Sequence, residues 1–245
     1  MAGQLLLRGM LVGVLAGLLA FGFAYVFGEP AVDRAIAFEE QSAAAKGEAP
    51  EPELVSREVQ SSLGLLTGTL VYGAAVGGLF ALVFAFAYGR VGSLGARELS
   101  ALLALAGFIA IILVPFVKYP ANPPSVGDPE TIGARTALYF TMMAVSVAAM
   151  AAAIVATLRL APRFGAWNAS LLGGLGYVAA VAATQLLLPP VNEVPENFSA
   201  VVLWQFRASS LGIHLVLWTT LALVFGALIE RSLAPRSAIP RRVYG

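Results

Sequence analysis

Three short polar segments carry the residues best able to do chemistry: Gly28-Glu29-Pro30, Lys118-Tyr119-Pro120-Ala121-Asn122-Pro123-Pro124 and Pro189-Pro190-Val191-Asn192-Glu193-Val194-Pro195. Each follows an apolar run. Proline lacks the N–H that a helix needs and pushes the residue before it out of the α region. Each segment is therefore expected to expose free carbonyl oxygens beside a carboxylate or carboxamide. Brought together, the three would form an oxygen-rich cup of the kind that binds hard and borderline divalent cations. Asp128 and Glu130 follow the second segment, and Glu196 lies close to Glu193 in the third. The candidate oxygen ligands for a metal are Glu29, Asn122, Asp128, Glu130, Asn192 and Glu193. The alternative is that the prolines only end helices and the polar residues only face water. His214, the sole histidine, lies four residues after Ser210 on one helical face. It is a candidate nitrogen ligand or proton acceptor, or a hydrogen-bonded packing residue. Arg135 and Arg207 stand before helix starts, where they can snorkel or pair with a carboxylate of the cup and limit its charge.

Other chemistries are excluded residue by residue. With no cysteine there is no disulfide scaffold, thiolate metal site or cysteine nucleophile. Ser210 and His214 have no orienting carboxylate or oxyanion loop, and no G-x-S-x-G is present. A nucleotide-binding G-x-x-x-x-G-K-[ST] loop is also missing. No catalytic residue and no permanently bound cofactor is expected, and the chain reads as a non-enzyme.

The elements that must position these residues follow from composition. The chain has 245 residues, 59% hydrophobic and 12% charged, whereas a soluble domain carries about 25% charged residues. The bilayer is the better solvent. Uncharged apolar runs at about 9–27, 63–88, 99–117, 136–158, 170–188 and 211–229 are each long enough to cross about 30 Å of hydrocarbon as a helix. The first has no small-x-small cleavage site after it and reads as a retained helix. The expected fold is all-α: one multi-pass membrane domain over 1–245, a bundle of six transmembrane helices in the cytoplasmic (inner) membrane. Between the first two runs lies an acidic outer loop at 29–62. Within it, 31–40 is expected to form a short helix on the rim, and 43–53 to be mobile.

The net charge of +1 suggests no nucleic-acid partner, but its distribution is informative. Sorted by alternating loops, one side holds nine arginines against two acids, net +7, and the other six basic residues against twelve acids, net −6. The basic side is expected to be cytoplasmic, which places both termini inside. The acidic side would concentrate cations by electrostatic focusing.

Small residues recur at four-residue spacing: Gly9, Gly13 and Gly17; Gly64 and Gly68; Gly73 and Gly77; Gly165, Ala169 and Gly173. Such stripes let helix backbones approach closely, within the bundle or between copies in a homo-oligomer. Pro162, flanked by Arg159 and Arg163, reads as a helix stop, and Trp167-Asn168 as an interfacial start.

The segment 114–124, with Val126-Gly127-Asp128-Pro129-Glu130-Thr131-Ile132-Gly133 and Arg135-Thr136, resembles the CbtA family of predicted cobalt transporter subunits. Leu188-Pro189, Val191-Asn192-Glu193-Val194-Pro195, Leu203-Trp204 and Phe206-Arg207 resemble that family's later motif. The resemblance implies cobalt uptake and a small single-span partner, CbtB, whose histidine-rich tail would supply nitrogen ligands. The family is commonly described with five spans, one fewer than the six read here.

The expected function is a membrane subunit that admits a divalent transition cation, Co²⁺, from its acidic outer face. The alternatives are a non-transporting scaffold that captures metal or docks a partner, and a permease for an organic solute.

Overall fold

A computed structural model describes residues 2–47 and 54–233. Among these residues the chain forms five long apolar helices, α1 (Gly3–Lys46), α2 (Arg57–Ala87), α3 (Ala96–Lys118), α4 (Pro129–Leu187) and α5 (Ala200–Leu233), each long and apolar enough to cross a membrane. The described residues contain no strand. Side chains such as Leu186, Leu187 and Trp167 are more than three-quarters exposed, as expected where lipid rather than water faces the surface.

The expected end of the first helix at Glu29-Pro30 is corrected. α1 runs on to Lys46, so residues 29–46 are helix rather than loop, and the expected short rim helix is its continuation. At about 1.5 Å per residue its 44 residues reach about 66 Å, well beyond a hydrocarbon core. Proline is accommodated because Ala24–Gly28 immediately before it is a π-helical turn. The wider turn changes the i−4 partner that the Pro30 ring would otherwise strike. The same device precedes Pro115, where Phe108–Leu113 is π-helical. Residues 48–53 of the expected mobile stretch lie outside the described residues.

The six expected separate spans are met as five helices, the fourth folded back on itself. Gly165 has φ 78° and ψ 157°, a backbone region open essentially to glycine alone. The arms 132–164 and 166–187 lie side by side. The Ser146 hydroxyl is 2.8 Å from the Tyr177 hydroxyl, and Thr157 Oγ1 donates to the Ala169 carbonyl at 3.3 Å. In a straight helix residues 146 and 177 would be about 46 Å apart. Pro162 does not stop the first arm, which continues helically to the break at Gly165.

Packing begins with α1 against α2. A Cβ on Gly9, Gly13 or Gly17 would fall on the carbonyl of Gly77, Gly73 or Thr69 respectively, so the two backbones touch. This is the within-bundle use of the first glycine stripe. Gly68, by contrast, faces open space and takes no part. Towards the end where α5 finishes, Phe84, Phe225, Leu99, Leu221 and Leu217 are almost wholly buried. The Phe80 and Phe84 rings meet Phe225 edge-on at centroid distances of 5.4 and 5.2 Å. Leu221–Phe225 is another π-turn, and the buried Ser100 hydroxyl donates to the Ala222 carbonyl at 3.0 Å, satisfying an oxygen at the altered turn. α4 stands apart, contacting chiefly the C-terminal half of α3. Only 11% of its most apolar stretch is buried, against 33–39% in the others, so most of its surface is free to face lipid or another chain.

Candidate functional site

α3 ends at Lys118 because Tyr119 leaves the helical region, with φ −129° and ψ 76°. The second arm of α4 ends at Leu187, followed by extended Leu188. The Pro-rich segments that follow these two helices come together, as the sequence suggested. Between them, the start of α4 and the N-terminal part of α5 lies a cavity of about 730 Å³. Its polar lining includes Asn122, Asn192, Glu193, Arg135 and Arg207; its apolar lining includes Pro120, Pro124, Val126, Ile132, Phe140 and Val194.

The carbonyls freed by proline are not left open. Lys118 Nζ donates to the Gln185 carbonyl at 2.7 Å, and the Tyr119 hydroxyl to the Pro189 carbonyl at 2.8 Å. Arg207 Nε donates to the Ala121 carbonyl at 3.2 Å. Such donors satisfy oxygens that the helices release, and they also tie the two segments to each other.

Glu193 is the centre of a second set of ties. Its carboxylate accepts the Asp128 N–H at 2.8 Å and the Thr131 hydroxyl at 2.7 Å, and it lies 3.2 Å from Arg135 Nε. Arg135 Nη2 also donates to the Asp128 carbonyl at 3.0 Å. Gly127, at φ 121°, lets that guanidinium lie against the backbone where a Cβ would collide with it. The Asp128 carboxylate accepts the Glu130 N–H at 2.9 Å and caps the start of α4.

The Glu193 carboxyl is held below its ordinary range, first by the Asp128 N–H, then by Thr131 and Arg135, with burial opposing. A lowered value means that these ties are fully present above the ordinary pKa and are lost as pH falls through the folded value. Amide-exchange protection factors at Asp128 are therefore expected to stay level from neutral pH down to about 4.3 and to fall only in more acid solution. In Glu193→Gln, whose amide oxygen does not titrate, this fall in more acid solution should be absent.

The other candidates lie elsewhere. Glu29 is not among the residues lining the cavity. It forms an ion pair with Arg57, which also bonds Asp33 at 2.9 Å, clamping α1 to the start of α2. Glu130 is exposed at the rim. His214 sits within the bundle on α5, its ring edge-on to Tyr72 at a centroid distance of 6.0 Å. Its Nδ1 is buried and has no hydrogen-bond partner among the described residues. Those residues contain no group of three or more His, Asp or Glu side chains that could hold a metal ion. The cup of carboxylates thus resolves into one carboxylate, two amides and two guanidiniums. Tyr119, Tyr139 and Phe140, which also line the cavity, were invisible as site residues because they lie in or beside apolar runs.

Arg135 pairs with a carboxylate, as the sequence allowed. Arg207 does not: its Nη2 donates to the Asn122 side-chain oxygen at 2.8 Å, and no carboxylate among the described residues lies within ion-pair distance.

No curated protein and no solved structure matches this chain. A family model described as "Probable cobalt transporter subunit (CbtA)" matches residues 2–230, nearly the whole length. The chain belongs to the CbtA family.

Proposed function

We propose that this chain is the membrane-embedded subunit of a cobalt uptake system, and that the cavity between the two Pro-rich segments is the outer mouth for its cargo. The observation that supports this best is that, in a chain of this family, Asn122, Asn192 and Glu193 converge on one large cavity. On this reading α4 crosses the cytoplasmic membrane twice, giving six crossings with both termini inside, in accord with the +7 and −6 division of charge. Asn122, Asn192 and Glu193 offer oxygens at the mouth, with Asp128 and Glu130 at its rim. His214, whose Nδ1 has no hydrogen-bond partner among the described residues, offers a nitrogen deeper in the bundle. A doubly charged cation moving inward down 100 mV gains about 4.6 kcal/mol, twice the 2.3 for one charge. A small single-span, histidine-rich CbtB-like subunit belongs to the proposal, since one histidine cannot complete a nitrogen-rich site.

The test is uptake of labelled cobalt by cells expressing this chain with its partner. Wild type is expected to exceed the empty vector. Glu193→Gln is expected to lower uptake by about tenfold, the scale of losing charge-assisted bonds. Because the chain has no native cysteine, Asn197→Cys and Ser93→Cys also report sidedness: an impermeant maleimide should label the first and not the second in intact cells. Uptake equal to the vector would overturn the transport reading, and the opposite labelling would overturn the orientation.

A further inference from the structure

We infer that the outer cavity is a binding site for a small organic carboxylate, taken either as the free anion or as the shell around a bound divalent cation. Charge is the first argument. The lining holds two guanidiniums, Arg135 and Arg207, and one carboxylate, Glu193. Glu193 lies 3.2 Å from Arg135, and among the described residues no carboxylate lies within ion-pair distance of Arg207. Arg207 is half-buried, and its bonds go to two neutral oxygens, those of Ala121 and Asn122. A partly desolvated charge without an ionic partner is costly, and an anion in the cavity would relieve it. Among the described residues Arg207 Nη1 makes no hydrogen bond, so donor capacity remains there for a carboxylate, the group that arginine matches best.

Size and lining supply the second argument. A bare divalent ion needs a close shell of oxygens at about 2 Å, and the described residues hold no group of three His, Asp or Glu side chains that could supply its charged ligands. The cavity's 730 Å³ falls in the range of small-molecule pockets, about 300–1,000 Å³. Pro120, Pro124, Val126, Phe140 and Val194 along its walls suit a carbon skeleton rather than an inorganic anion. The nearby Asp128 carboxylate is engaged by the Glu130 N–H. The acids of the outer surface and the arginines of the cavity thus have different roles: the surface is acidic overall, whereas the cavity is cationic.

This inference rests on the proposed transport role only for the identity of the metal in the chelate. The full chain, purified in detergent, is titrated with labelled citrate, with citrate plus Co²⁺, and with Co²⁺ alone. Citrate is expected to bind in one or both forms. Binding of the chelate alone would identify the source as a metal complex, and equal binding of free citrate would identify it as the anion itself. Arg207→Gln and Asn192→Asp, the latter at an exposed position, should each weaken binding by about tenfold or more, while Arg207→Lys should retain part of it. A cation site predicts the reverse sign, with both of the first two substitutions tightening Co²⁺. Failure of citrate to bind in either form, indifference to both substitutions, or tighter Co²⁺ binding in both would overturn the inference. Cobalt uptake without citrate binding would overturn it and leave the transport role standing; citrate binding without cobalt uptake would do the opposite.

Discussion

Gly13→Val is expected to prevent the protein from holding its folded form, the largest effect of any single substitution in the bundle. A Cβ at this position would fall on the Gly73 carbonyl. That atom belongs to a helix backbone and cannot rotate away as a side chain could, so α1 and α2 would have to separate. Separation would also loosen the close approaches at Gly9 and Gly17. In lipid there is no hydrophobic drive to restore the contact, because packing itself holds transmembrane helices together. Overpacking usually costs about 1–3 kcal/mol, and here the upper end or beyond is expected because three contacts along one seam move together. The measurement is thermal stability by fluorescence-detected gel filtration, with Gly68→Val and Gly174→Val as comparators, since both positions face open space. The comparators should behave as wild type. If Gly13→Val melted with them, the backbone contact would be wrong.

The second large effect is expected at Gly165. Its φ and ψ of 78° and 157° exclude any residue with a Cβ at a cost of order 1–3 kcal/mol. Both Gly165→Ala and Gly165→Val should be destabilised by similar amounts, because the conflict begins at Cβ and does not grow with side-chain size. The consequence reaches the site. The fold-back brings the second arm alongside the first and so delivers Pro189–Pro195 to the Pro-rich segment after α3. Tyr177→Phe, which removes only the bond to Ser146, should cost about 1 kcal/mol and serves as the scale. Thermal stability within that of Tyr177→Phe for both glycine variants would show that the turn does not require its left-handed backbone.

Much of the fold was legible from residue type. Runs such as 99–117 and 211–229 sit inside α3 and α5 because an uncharged stretch of that length has no other stable form in hydrocarbon. The stripe at Gly9, Gly13 and Gly17 announced a close helix contact, and α2 supplies it. Reading Pro30 as a helix end failed because the rule assumes an i−4 ladder. The π-turn over Ala24–Gly28 changes that ladder, and nothing in Ala-Tyr-Val-Phe-Gly distinguishes it from ordinary helix. Pro162 also does not end its helix, here without a π-turn: the chain turns three residues later, at the glycine. For the site, the polar, Pro-broken character of the segments after α3 and α4 is legible in the residue types, and the fold brings the two side by side. The charge pairing is not legible. Counting acids suggested a cation cup; in the structure Glu29 pairs with Arg57 and Glu193 with Arg135, while Arg207 has no carboxylate partner among the described residues.

By itself, then, the sequence determined the solvent, the apolar stretches and the family, because length, hydropathy and the Pro-rich motifs are properties of contiguous residues. Only the tertiary structure decided which charges meet. Lys118 reaches Gln185, Arg207 reaches Asn122, and Glu193 reaches Asp128, across separations of 67, 85 and 65 residues. Electrostatic energy depends on distance in space and on burial. A count of charges along the chain contains neither, so it could not place beside the cavity an arginine that has no carboxylate partner among the described residues.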